Sequence, residues 1–182
     1  VKQAKLIAEV ASDTEDNNKP VNQGRSANAS GKTLESTIVP VLEGKGFKKI
    51  SYSHYIKNPS KYGTELLLTR VPYTTIYGQD GHTEFKIISK KYNKEIRIEC
   101  KWQQEQGSVD EKFPYFYLNC IGAAPENEFI LVYGGHGFKK GSINWIKIAA
   151  ERMPFTTDVN RDKKIRIFRL EEFLIWANST FK

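Results

Sequence analysis

The run Glu95 to Gln103 alternates without a fault. Ile96, Ile98, Cys100 and Trp102 fall on one face of an extended chain, and Glu95, Arg97, Glu99, Lys101 and Gln103 on the other. Successive side chains of a pleated strand point to opposite faces, so this pattern predicts a half-buried strand. Upstream, Glu84-Phe85-Lys86-Ile87-Ile88 is a second extended run. The polar stretch Ser89 to Lys94 between them carries Asn93, which tolerates the backbone of a tight reversal. Together the three pieces predict a hairpin.

A hairpin symmetric about its loop sets Glu84 across from Glu99. Facing strand positions lie about 5 Å apart. Two carboxylates at that distance repel by roughly 3 kcal/mol at an effective dielectric near 20. A hard divalent cation between them turns that repulsion into binding energy, because such ions take carboxylate oxygen. Lys101 lies two residues beyond Glu99 on the same face, within reach of whatever the metal holds. The group outlines a hydrolytic metal site.

A chain of 182 residues suits one domain with a full core. No apolar run approaches the roughly 18 residues needed to cross a bilayer. Val1 to Val10 mixes Lys2, Lys5 and Glu9 into its apolar pattern, unlike a secretory signal. No membrane association and a cytoplasmic location are therefore expected. Cys100 and Cys120 sit where small core residues would, so no disulfide framework is expected. The net charge of +7 favours an acidic partner, nucleic acid above all.

In order, residues 1–30 read as a flexible arm or linker, Ser12 to Ser30 being polar and without hydrophobic period, and residues 31–182 as a single α/β domain. Gly24 to Thr33 imitates a phosphate-binding loop, but six residues separate Gly24 from Gly31 where the motif needs four. Leu34, Ile38, Val41 and Leu42 predict a helix from about Thr33 to Glu43, capped by Ser30 or Thr33 and bent or divided at Pro40. Phe47 to Tyr55 suits an extended segment. Thr64 to Val71 reads as a buried strand ended by Pro72, and Gly78, Asp80 and Gly81 as a loop before the hairpin. Beyond it come a helix with an acidic first turn through Ile121, a strand at Phe129–Tyr133, a helix at Gly141–Arg152, a strand at Ile165–Phe168 and a closing helix at Leu170–Ala177. The core order is helix, three strands, helix, strand: an α/β fold with a mixed central sheet flanked by helices. His54 and His82 have no partner at metal-ligand spacing, so zinc is not expected.

That order, with Glu84 and Glu99-Cys100-Lys101, resembles the PD-(D/E)XK nuclease superfamily over roughly Thr33 to Tyr133, with its restriction-endonuclease-like fold. The run Gly107 to Pro114 resembles the segment after the lysine in type II restriction enzymes. The usual Pro-Asp is absent. The first metal ligand is then Glu84 or Asp80, Glu84 being preferred for its register and Asp80 assigned to the turn with Gly81.

The resemblance implies Mg²⁺-dependent phosphodiester hydrolysis of DNA, with Mn²⁺ able to substitute, leaving a 5′-phosphate and a 3′-hydroxyl. It implies Glu84, Glu99 and the backbone carbonyl of Cys100 as metal ligands and Lys101 beside the attacking hydroxide. It further implies Gln103 as an orienting polar group and Glu35, on the first helix, as a residue reaching the metal through water. Lys112, Lys139 and Lys140 are candidate DNA contacts. So are Gly134 to Gly137 and the clusters Lys90-Lys91-Lys94 and Arg161-Lys163-Lys164-Arg166, each of which equally reads as ordinary turn or surface. A type II restriction-like endonuclease, commonly a homodimer, is the expectation. The alternatives are a structure-specific, repair or mobile-element nuclease of the same fold, and a DNA-binding module without activity.

Overall fold

The structure, a computed structural model, describes residues 23–182, with side chains from residue 33 onward. The elements are α1 (Gln23–Gly44), β1 (Lys48–Ser51), the one-turn α2 (Tyr52–Tyr55), β2 (Glu65–Thr74), β3 (Asp80–Ser89) and β4 (Lys94–Trp102). After them come α3 (Lys112–Gly122), β5 (Glu128–Gly134), α4 (Lys140–Arg152), β6 (Lys164–Arg169) and α5 (Leu170–Thr180). The six strands stand side by side in chain order. β2, β3 and β4 are antiparallel neighbours, while β1 pairs β2, and β5 pairs β4 and β6, in parallel. The α/β class, the mixed sheet and the helix, three strands, helix, strand order are as the sequence predicts.

The faces of the sheet follow from the alternation. Ile96, Ile98 and Cys100 of β4, with Ile130 and Val132 of β5, pack under Leu34, Ile38 and Leu42 of α1 and Phe173 and Ala177 of α5. Phe129 and Leu131 of β5 turn the other way, onto Phe113 and Tyr117 of α3 and Ile146 of α4. A strand covered on both sides needs apolar residues at every position, and Phe129-Ile130-Leu131-Val132-Tyr133 supplies them. Both crossover helices cover the same face because β4, β5 and β6 are added in one direction. The two cysteines are free and buried, as expected.

Several local expectations give way to tertiary context. Of the arm expected over residues 1–30, residues 1–22 lie outside the described residues. Residues 23–30 are instead the first turns of α1, so Ser30 and Thr33 lie inside the helix and do not cap it. Once Leu34 and Ile38 dock the helix on the sheet, extending it through polar residues needs only propagation, not a new nucleus. Pro40 does not divide α1: it is exposed between the buried Val39 and Leu42, on the side where the carbonyl it frees meets water. Phe47–Tyr55 is not one extended segment but β1 followed by α2. Pro72 does not end β2, which runs on to Thr74. β1 stops pairing at Thr69, so the rest of β2 is an edge strand, where proline is tolerated.

The polar face of β4 is not solvated. Arg97 is 3 % exposed, and Glu99 and Lys101 are largely covered. α3 and α4 roof this side of the sheet, which strand alternation alone does not reveal. Among the described residues no helix is long and apolar enough to cross a membrane.

Candidate active site at a fork in the sheet

The β3–β4 ladder runs from Ser89↔Lys94 to Phe85↔Ile98 around a reversal in which Asn93 takes φ +49°. One more step of this register sets Glu84 opposite Glu99, as expected, but there the ladder ends. Beyond it β3 pairs only with β2, down to Thr74↔Asp80, and β4 pairs only with β5, through Glu99↔Leu131 and Lys101↔Tyr133. The sheet forks at the two glutamates. Across from Glu84 on β2, Arg70 has φ +53° and falls out of the ladder between Thr69↔Phe85 and Val71↔Thr83. A left-handed, non-glycine residue within a strand is costly, and such strain gathers at functional sites.

Glu84 therefore does not begin its strand but lies in its middle. Asp80, expected in the turn with Gly81, is the first residue of β3. The turn is Thr75 to Gln79, closed by the Thr75 N–H to the Gln79 carbonyl at 2.8 Å and the Gly78 N–H to the Thr75 carbonyl at 2.8 Å.

At the fork, Lys101 makes an ion pair with Glu99. Glu84 is pushed up to about 8, first by burial and then by the Glu99 carboxylate, with Lys101 opposing and Glu35 adding to the shift. Burial alone would lower Lys101, but Glu99 and then Glu84 hold it above the usual lysine range, so it remains a cation. The Cys100 thiol is pushed well up by burial and by Glu84, which keeps it protonated in the core and removes it as a nucleophile. Glu35 of α1 lines a cavity of about 220 Å³ together with Glu84, Lys49 and Arg70. Asp80 lines a different one, of about 420 Å³, with Glu99, Lys101 and Lys112. His82 borders both cavities, a placement its lone position in the sequence does not signal.

Gln103 is the clearest correction. It is 5 % exposed, and its amide is consumed internally. Nε2 donates to the Gly137 carbonyl at 2.8 Å and to Asp110 at 3.3 Å, while Oε1 accepts from the Val109 N–H at 2.9 Å. It braces two loops and has no free group for water or DNA. The glycine-rich segment is the other half of that brace. A Cβ on Gly135 or Gly137 would lie 2.2 Å or 2.1 Å from the carbonyl oxygen of Gln103 or Glu105. Lys139 and Lys140 are exposed at the start of α4 and border neither cavity. The basic clusters also lie elsewhere. Lys94 and Arg166 are paired with Glu128 at 2.8 Å and 2.9 Å, Arg161 with Asp158, and Lys163 donates to the carbonyls of Ala124 and Glu126.

Among the described residues, no three histidine, cysteine, aspartate or glutamate side chains converge closely enough to hold a metal ion by themselves. Two carboxylates with water and phosphate oxygen completing the shell is nonetheless the usual way Mg²⁺ is held. A half-buried acid pair in which one member keeps its proton to about pH 8 is the electrostatic condition a cation relieves. The donor set fits such an ion.

The sequence profile of the PD-(D/E)XK nuclease superfamily domain matches residues 26–181. The chain belongs to that superfamily. Comparison with curated proteins and with solved structures found no match. The nuclease domain thus spans nearly all the described residues, and its α/β architecture is that of the restriction-endonuclease-like fold.

The Glu84 shift predicts how the metal-free nuclease domain responds to pH. The folded carboxyl keeps its proton to about 8, whereas an ordinary one releases it near 4.5. Between those values the folded state binds more protons, so stability falls as pH rises through the window. In EDTA, the melting temperature of the wild type is expected to drop relative to that of Glu84→Gln between about pH 5 and pH 8, by several degrees. Parallel melting curves for the two proteins across that range would contradict it.

Proposed function

We propose that this nuclease domain is a Mg²⁺-dependent DNA endonuclease, with Mn²⁺ able to replace Mg²⁺. The observation that carries the reading is the fork, where a half-buried carboxyl pair and a lysine held as a cation stand together at the point where two strands part. Glu84, Glu99 and the backbone carbonyl of Cys100 are the groups that would hold the ion. Bound there, it supplies Lewis-acid polarisation of the scissile phosphate and lowers the pKa of a coordinated water.

The chain's own residues do the rest. Lys101 stays charged beside Glu99 and donates toward the phosphate or the attacking oxygen, a position where added charge lowers the barrier. Glu84 holds a proton up to about 8 and would have to be ionised to serve as a ligand, so metal affinity is expected to rise with pH toward 8. The Tyr73 hydroxyl, in the Glu99 cavity, is pushed up to about 12 by burial and then by Glu99, and so remains a donor throughout the working range. Lys112, in the same cavity, adds a second positive charge for the DNA strand.

The finer reading is a type II restriction-like enzyme cutting duplex DNA at a fixed sequence. One site per chain would then call for a homodimer to cut both strands. Plasmid and phage DNA incubated with Mg²⁺, Mn²⁺ or EDTA tests it. Discrete fragments that require metal are expected. Cutting confined to branched or nicked DNA would move the assignment to a structure-specific nuclease. DNA binding without cleavage in either metal would leave a binding module.

A further inference from the structure

The cavity beside Glu99 and Lys101 has a composition that phosphate chemistry does not need. Its floor is the two catalytic candidates. One wall is the β2–β3 hairpin, with Tyr73 and Gln79, and the other is α3, with Lys112, Tyr115 and Phe116. Its volume of about 420 Å³ is within the range of small-molecule sites, roughly 300–1,000 Å³. Three aromatic side chains and a few polar groups are the lining expected for a flat, polar-edged ring.

The hairpin tip is anchored to α3. The Ile76 N–H donates to Asn119 Oδ1 at 3.0 Å, and Asn119 in turn donates to the Tyr115 carbonyl at 2.8 Å. Tyr77 stacks on Tyr115, centroids 5.3 Å apart and planes 24° from parallel, and is itself 70 % exposed. Packing alone does not explain an exposed tyrosine held flat beside a cavity on a tied-down turn.

We propose that this cavity receives one unstacked nucleobase next to the scissile phosphate, held against Tyr115, with Tyr77 buttressing the platform from the solvent side. A base still paired and stacked in duplex DNA cannot reach into the space between the hairpin and α3; it has to be flipped out or already unpaired. The substrate class is therefore DNA carrying an extrahelical or single-stranded nucleotide beside the cut. This rests on the nuclease reading of Glu99 and Lys101, and within it favours the structure-specific alternative over cleavage of plain duplex at a fixed sequence.

The test measures binding in EDTA and cleavage in Mg²⁺ on one set of oligonucleotides of common sequence: fully paired, singly bulged, mismatched and with a single-stranded overhang. Tyr77→Ala and Tyr115→Ala are compared with wild type. Aromatic stacking of a base is worth roughly ten- to a hundred-fold in affinity. Wild type is expected to bind the DNA with an unpaired nucleotide at least about ten-fold more tightly than the paired duplex. Both variants are expected to lose most of that preference while binding the paired duplex unchanged. Tyr77, being exposed, keeps the comparison valid if Tyr115→Ala fails to fold. Equal affinity across the set in wild type, or a preference that Tyr77→Ala leaves intact, overturns the proposal. The two readings separate cleanly: a Tyr-dependent preference without cleavage of any substrate refutes the nuclease reading and leaves the base pocket standing.

Discussion

Replacing Lys101 by alanine is expected to slow Mg²⁺-dependent DNA cleavage by about a hundred- to a thousand-fold, the usual cost of removing one charged donor aimed at a developing oxyanion. Lys101 is the cation paired with Glu99 and opposing the Glu84 shift at the fork. Its loss leaves the acid pair more negative, so metal binding should survive or tighten. Glu99→Ala should cost a similar factor by the other route, since it removes one of two carboxylates and weakens the metal itself. Calorimetric titration with Mg²⁺ or Mn²⁺ alongside single-turnover cleavage distinguishes the roles. If Lys101→Ala cleaves within a few-fold of wild type, the lysine is only a counter-charge and the proposed mechanism loses its donor.

The largest expected effect on stability comes from Arg97, which lies outside the candidate site. Its Nε donates to Glu126, Nη1 to the Val71 carbonyl at 3.0 Å and to Thr83 Oγ1 at 3.2 Å, and Nη2 to the Pro72 carbonyl at 2.9 Å. It thus reaches from β4 across the fork to β2, just beyond the left-handed Arg70. Glu126 is as buried as Arg97 and is shared with Lys86 at 2.6 Å. Burial alone would raise the Glu126 carboxyl, but hydrogen bonds from Arg97 and Lys86 more than offset it and hold it below the usual range.

Arg97→Ala leaves a buried carboxylate short of a partner and takes away the side-chain donor to the buried Val71 carbonyl, a change worth about 3–5 kcal/mol. Set against a total stability of about 5–15 kcal/mol, that is close to unfolding. Urea melts at neutral pH should show it. In wild type the Glu126 contribution is present at neutral pH and fades as pH falls through its depressed pKa. The deficit of the variant should accordingly shrink toward pH 4, where the stranded carboxyl takes up a proton. A loss under about 1 kcal/mol at neutral pH would mean the buried pair contributes nothing net, as some such pairs do.

The strand elements, their order and the Glu84–Glu99 register were legible because they rest on short-range rules. Alternation over Glu95–Gln103, the apolar run Phe129–Tyr133 and the polar reversal at Asn93 each constrain the backbone within a few residues. A hairpin carries its register with it, so one glutamate could be set against another from the chain alone. Element ends were legible only loosely. The start of α1 and the fate of Pro40 and Pro72 depend on what the segment is docked against, which local propensity does not contain.

The site's surroundings came from elsewhere. Arg97 meets Glu126 across 29 residues of chain, and Gln103 meets Gly137 across 34. No spacing rule in the sequence distinguishes those partners from solvent. On the same polar face of β4, Gln103 became a brace, Arg97 a buried strut and Lys101 a cation paired with Glu99, although alternation treats all three alike. What separated them was how far α3 and the loop before α4 cover each position, and where β3 parts from β4. The sequence by itself determined most of the strands, the register of one hairpin and the placing of two glutamates and a lysine on one face of it, because hydrogen-bonded neighbours and period-two faces are local physics. Only the tertiary structure decided which polar groups are buried and satisfied and which remain free for chemistry, because burial is set by elements far away along the chain.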